Sequence, residues 1–408
     1  MKLYDDKVRT DETPAGRSES AYDFYNRSAG ELVSKVRAAH ELWFGRYPEE
    51  HKADLRGRFV KDDDVQHYSA LFELVLHELF LKLECEVVIH PDLNNGTGKR
   101  PDFLVRHSTG DFYLEAVVVP DVSTKEASTR KLLGVAYDEV NKIKSKDFFL
   151  DLSSEGYPRT PVKTKDLKRK ILNFLNNLDY EEVREMRVRD IFLDELPTLE
   201  YKHDGAVLRF RAIPKSPEGR LKPPGHLICS SSEGGRLMET SLSIKEALNV
   251  KARRYGQMNL PYVIAVNTLL WGLGHEYLEA LYGEEGMVYP LGSIGGGKPT
   301  RTTEGAWRKH NNTPRHTNVS AVLFFENFLD TSAHVVPIEL HHHPKADTPY
   351  SSVLTVLPQR IVGADGYVQS VEGKTLLEIL GVTEYFPAIE PFDFKLGDLI
   401  TEKLKGSK

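Results

Sequence analysis

The stretch that most constrains this chain is Phe112–Val119, FYLEAVVV, where a single glutamate interrupts an apolar run. Aromatic and β-branched residues on both faces make a strand that belongs inside a sheet, covered above and below. An unpaired carboxylate there is costly. Glu115 is therefore the residue whose surroundings need explaining.

Just upstream lies RPDFLV, residues 100–105, separated from that strand by HSTGD, residues 107–111, a strong turn signal. With the turn centred on Thr109-Gly110, Leu104 faces Glu115 and Asp102 faces Val117. Asp102 and Glu115 then share one face as diagonal neighbours within about 8 Å. Two carboxylates that close repel unless a proton or cation lies between them. Mg²⁺ (or Mn²⁺) suits such a pair, because a hard cation takes one or two carboxylates plus water and substrate phosphate.

The flanks give this hairpin an α/β setting. Residues 1–30 are polar and read as a loosely tied arm, and residues 31–58 have helical spacing broken at Pro48. The Asp62–Asp64 run offers a helix cap. A strongly apolar helix follows over residues 68–83, striped by Phe72, Val75, Leu76, Leu79 and Leu83. Strands are expected at 86–90, 102–105 and 112–119, an amphipathic helix at 124–144, a strand at 147–152 and a basic helix at 163–177. Further on, strands are expected at 206–213, 226–230, 261–267, 319–325 and 334–340, a helix at 243–255, and a long Gly-rich loop at 283–317. The division that follows is an N-terminal helical arm (1–60), a core (61–155), a basic helical connector (156–200) and a C-terminal α+β module (201–408).

Helix, three strands, helix, strand, with Pro101-Asp102 on one strand and Glu115 on the next, resembles the PD-(D/E)XK nuclease superfamily, the restriction-endonuclease-like fold. The resemblance covers residues 66–153 and extends to uncharacterised bacterial proteins with a "PDFLV…FYLEA" signature. It implies an α/β, restriction-endonuclease-like core with a C-terminal α+β module. It also implies a metal held by Asp102 and Glu115, with Glu73 of the first helix assisting. The family's Lys stands two residues after the acid, where this chain has Val117. That Lys positions the attacking water and offsets developing charge. Lys99, Lys125 and Lys131 are the replacements the resemblance suggests. The segment Lys251-Ala-Arg-Arg-Tyr255 is similar to the Q-x-x-x-Y helix of one nuclease subgroup, with Lys for Gln and no E-x-K strand before it. It reads as a surface lysine and a packing tyrosine.

Other constellations are weaker. The run from Gly292 to Lys298 is followed by Pro299 where a phosphate-binding loop needs Ser or Thr. Lys298, Arg301, Trp307, Arg308, Lys309 and Arg315 interleave basic groups with an aromatic, a pattern that suits a phosphate backbone with a base to stack. Lys163–Lys170 is a second basic face. His341–His343 reads as a polar strand end. Cys85 and Cys229 read as reduced core residues.

Lys plus Arg is 54 against 60 for Asp plus Glu, a net charge of −6. That excludes a globally basic nucleic-acid coat but not a local basic groove. Without an apolar leader or a membrane-length apolar run, a cytoplasmic protein without membrane contact is expected. The function that the resemblance implies is a Mg²⁺-dependent DNA nuclease, of a kind often tied to bacterial defence, with a protein partner or homodimer possible. The alternative is a nuclease-derived scaffold that binds DNA or protein without cutting, which Val117 favours.

Overall fold

The computed structural model describes residues 1–385 apart from 94–95, 97, 121–123, 190–192, 194, 234–239, 270–274, 290–296, 303, 309–310, 312, 333–334, 364–366 and 384, and apart from the side chains of 124–125, 233 and 298–299. Four helices come first: α1 (Ala21–Arg27), α2 (Glu31–Arg46), α3 (Glu49–Phe59) and α4 (Asp64–Lys82). Pro48 occupies the N-cap of α3, where its missing N–H costs nothing. Asp63 caps α4 by accepting from the N–H groups of Val65 and Gln66, so the helix starts at Asp64, four residues before the expected position 68.

The first thirty residues are not a loose arm. Leu3 and Tyr4 are buried. Their N–H groups donate to the Glu41 carboxylate at 3.1 and 2.8 Å. Tyr4 stacks on Tyr22 at 5.9 Å and meets Phe59 edge-on at 5.5 Å. Aromatic packing fixes a segment that its polar composition alone would leave free.

The meander follows as β1 (Glu86–Ile89), β2 (Phe103–Arg106) and β3 (Phe112–Val119), all antiparallel. Phe103 pairs with Leu114 and Leu104 with Tyr113. This register differs by two residues from one centred on Thr109-Gly110. A two-residue slip keeps every side chain on its face. Asp102 and Glu115 therefore still share a face, and the next step of the ladder sets them opposite each other rather than diagonal.

Helix α5 (Thr124–Asn141) leads into a separate unit: β4 (Phe148–Glu155), α6 (Thr164–Asn176), α7 (Tyr180–Arg189), β5 (Thr198–His203), β6 (Ala206–Pro214), α8 (Pro217–Arg220) and β7 (Ile228–Glu233). Its strands form their own sheet in the order β5-β6-β4-β7. Leu133, Ala136 and Val140 of α5 and Leu167, Ile171 and Leu175 of α6 pack in its core. The strand expected to complete the hairpin's sheet, 147–152, thus forms but pairs with β6 and β7 instead.

The chain returns through α9 (Thr240–Ala252), β8 (Tyr262–Thr268), α10 (Glu276–Tyr282), the hairpin β9 (Glu285–Val288) and β10 (Lys298–Arg301), then β11 (Ala321–Glu326), β12 (Ile338–His342), β13 (Gln359–Val362), β14 (Val368–Val371) and α11 (Leu376–Leu380). The expected 283–317 loop therefore carries a two-stranded ribbon. The principal sheet has eight strands in the order β1-β2-β3-β8-β11-β12-β13-β14. It draws on segments on both sides of the inserted unit. Strand β8, buried along its whole length, lies parallel to β3 with Ile264 beside Glu115. Parallel neighbours need a crossover, and here the crossover carries the second sheet.

Helix α4 packs Leu71, Phe72, Val75, Leu76 and Phe80 on one face of the principal sheet, against Phe103, Phe112, Leu114 and Val263. Helices α9 and α10 cover the other, where Ile244, Leu248 and Leu281 meet Tyr262, Ile264 and Val266. The architecture is mixed α/β. No helix among the described residues is long and apolar enough to cross a membrane. Cys85 is buried as expected, whereas Cys229 is exposed on β7.

A buried ion pair ties the N-terminal helices to the sheet. His67 Nε2 lies 3.1 Å from Asp330 Oδ1, and its Nδ1 lies 2.8 Å from the Phe59 carbonyl. Burial alone would depress His67 and raise Asp330; their attraction overrides it, holding the imidazole above and the carboxyl below its ordinary value. Removing one partner of a buried pair strands the other charge. Asp330→Ala should therefore cost about 3–5 kcal/mol, read as a lower denaturation midpoint in urea at neutral pH.

Candidate active site at the central hairpin

Glu115 is 1% exposed, and α9 supplies its partners. Lys251 Nζ lies 2.6 Å and Arg254 Nη1 3.1 Å from Oε1, and the Tyr255 hydroxyl bonds Oε2. The local fold explains this convergence. Leu248, Ala252 and Tyr255 are the buried stripe of the helix and the turn after it. The neighbouring positions 251 and 254 are thereby brought over the sheet beside the one carboxylate of β3. The C-terminal end of a helix carries partial negative charge, which eases the clustering of cations there. Gly256, at φ +74°, then takes the left-handed turn that sends the chain into β8.

The same turn gathers the strand before the hairpin. The Tyr255 hydroxyl also lies 2.8 Å from the Arg100 carbonyl, and its one proton serves either acceptor. Burial first, then the charge of Glu115, pushes the Tyr255 phenol far up, so it remains a donor. Lys99 Nζ donates to the Arg254 carbonyl at 3.1 Å.

Asp102 sits deep among protein groups with one edge at the surface. Its Oδ2 accepts from the Ala116 N–H at 2.7 Å. Its carbonyl accepts from the His90 N–H at 3.0 Å. Burial, and then the charges of Glu115 and Glu73, push its carboxyl up to about 8, against the pull of the Ala116 N–H and Lys251. A carboxyl so buried beside two other acids favours a proton or a cation.

That preference, and the all-oxygen chemistry of Asp102 and Glu115, fit a hard dication that completes its shell with water and phosphate oxygens. No cluster of three or more His, Cys, Asp or Glu side chains among the described residues is arranged to hold a metal. The protein's own contribution is the pair. Glu73 is engaged elsewhere: Arg58 grips it through both guanidinium nitrogens at 2.5 and 2.7 Å, and it comes from α4, which packs on the other face of the sheet. Its charge reaches Asp102 nonetheless.

The other expected site residues scatter. Lys131 pairs with Asp62 at 2.6 Å, and the side chain of Lys125 lies outside the described residues. Trp307 is buried, packed edge-on against His343 at 4.2 Å, and is not a stacking platform. Arg301 bonds Glu285 and the Gly283 carbonyl. The Lys298 side chain and all of Lys309 lie outside the described residues, and Arg308 bridges Pro314 through its backbone. In the basic helix, Lys168 pairs with Glu139, and Arg169 and Lys170 with Asp166. His341 and His343 are buried rather than a polar strand end.

Sequence reasoning singled out Lys251 and Tyr255 but read them as a surface lysine and a packing tyrosine, and gave Arg254 no role. Their signal was the K-x-x-x-Y spacing just before the most buried strand of the sheet. Comparison of the chain with family models, curated proteins and solved structures returned no match.

The Asp102 shift has a consequence for stability. Folded Asp102 keeps a proton that the unfolded carboxyl releases near about 3.9. Its contribution is therefore present at low pH and lost as pH rises through about 8. Asp102→Asn removes that loss. The variant should melt higher than the parent at pH 8 without divalent cation, with the gain shrinking towards pH 4 in thermal scans.

Proposed function

We propose that this protein is a metal-dependent DNA nuclease of the PD-(D/E)XK type, its core made by α4, β1, β2, β3, α9 and β8. The observation that carries this reading is the Lys251 ammonium, 2.6 Å from Glu115. It supplies from a helix the basic group that Val117 cannot supply from the strand.

Asp102 and Glu115 would hold the cation; when bound, it polarises the scissile phosphate and lowers the pKa of a water. The chain's residues do the rest. Lys251 donates to the attacking water or a phosphate oxygen and offsets the charge that builds there. Arg254, bonded to Glu115 but half in solvent, adds a second donor at the mouth. Tyr255 keeps Glu115 oriented. Strands β3 and β8 exclude bulk water beneath the site, which strengthens each of these interactions.

A nuclease-derived scaffold that binds without cutting is favoured by the same bond. Lys251 and Arg254 already neutralise Glu115 without a metal. The two readings part in one experiment. With Mg²⁺ or Mn²⁺ the protein should cut single- or double-stranded DNA, and EDTA should stop it. Asp102→Ala and Glu115→Ala should abolish cleavage. Lys251→Ala should lower kcat by about 10²–10⁴, while Lys99→Ala and Lys131→Ala leave it unchanged. DNA binding without cleavage under every metal would decide for the scaffold.

A further inference from the structure

We propose that Arg253 and Arg315 form a phosphate-binding subsite that grips the DNA backbone beside the cleavage site, an inference that rests on the nuclease reading. The two arginines stand on segments joined by a clamp, the end of α9 with the turn after it and the stretch that precedes β11. His316 Nε2 lies 2.7 Å from Asn249 Oδ1. Asn318 Nδ2 donates to the carbonyls of Ala252 at 2.8 Å and Gly256 at 3.2 Å. These bonds fall on either side of Arg253, the first residue after α9, and follow directly on Arg315.

Arg315 is also fixed from behind. Its N–H donates to the Trp307 carbonyl at 2.9 Å, and its carbonyl meets His343 Nε2 at 2.9 Å. Trp307 and His343 pack on each other beneath it. The aromatic of the basic loop thus buttresses an arginine from inside the protein.

Neither guanidinium has an ion pair among the described residues, whereas Arg58, Arg254 and Arg360 each hold a carboxylate. Burial and then Arg253 depress Arg315. His316, next along, is pushed down to about 4 by burial and then by Arg315, Arg253 and His343, with no acid among the causes. Two guanidiniums that repel each other, with no acid to offset them, make a poor resting arrangement and a good receptor for a phosphodiester, whose oxygens accept from both. Arg253 adjoins Arg254, which reaches Glu115, so the subsite continues outward from the carboxylate pair.

The test separates binding from chemistry. Fluorescence anisotropy of labelled duplex and single-stranded oligonucleotides, with EDTA present so that nothing is cut, is measured across a salt series. The proteins compared are the parent, Arg253→Gln, Arg315→Gln and the double variant, with Arg189→Gln on α7 as an exposed control. Each site variant should weaken binding roughly fivefold to tenfold near 0.1 M salt and lower the slope of log K against log salt by about 1. The control should match the parent. In cleavage, the site variants should raise KM and spare kcat. Binding and slope unchanged in both single variants, or a parent that binds no DNA, would overturn the subsite. A parent that binds but never cuts, with binding weakened in the variants, would sink the nuclease chemistry and leave the subsite standing.

Discussion

The contact between Glu115 and Lys251 is the constraint on which the rest of this structure turns. A carboxylate on an interior strand cannot stay charged without a partner, and leaving it alone would cost several kcal/mol. The partner comes from α9, so α9 must lie over β3, and β8 must lie beside it. Seven consecutive buried residues of β8 follow from that position, because a parallel strand between two others, covered on both faces, has no side open to water. The ion pair therefore fixes a register between helix and sheet that apolar packing alone would leave free to slide.

Much of the fold is legible in the sequence, and the pattern of what is not legible is physical. The apolar stripe of α4 was readable from its helical period, and the Phe112–Val119 strand from its near-continuous run of aromatic and β-branched residues. The hairpin register slipped by two residues because turn composition does not fix the turn's centre, yet the shared face of Asp102 and Glu115 survived because side-chain direction repeats every two residues. The pairing of β4 was not legible. Residues 147–152 look like a strand, and nothing local says which sheet takes it. The nearest helix and strand in sequence, α5 and β4, were natural choices for the crossover, and the protein uses α9 and β8 instead.

The candidate site shows the same division. Asp102 and Glu115 were visible because acids in apolar strands are conspicuous. Lys251 and Tyr255 were not, since a lysine and a tyrosine at helical spacing are ordinary surface and packing residues until the sheet beneath them is known. Glu73 is set apart from the pair for a reason that lies outside its own helix: Arg58 of α3 holds it. Its negative charge still contributes, since it helps keep Asp102 protonated until positive charge arrives. Trp307 misled because aromatic residues among basic ones serve equally as platforms and as buttresses, and only burial tells the two apart.

The inserted sheet gives the site its dependence on the whole chain. Lys251 and Glu115 stand 136 residues apart in sequence, with a four-stranded unit and its helices between them. Closing so long a loop costs entropy that grows only slowly with length, so the insertion is thermodynamically tolerable. Contacts between residues so far apart do slow folding, however. Until the inserted unit has folded and returned α9 to the sheet, Glu115 lacks its cations and the two carboxylates repel each other. The hairpin that carries the acids is therefore held in its final register by a segment from the far side of the insertion.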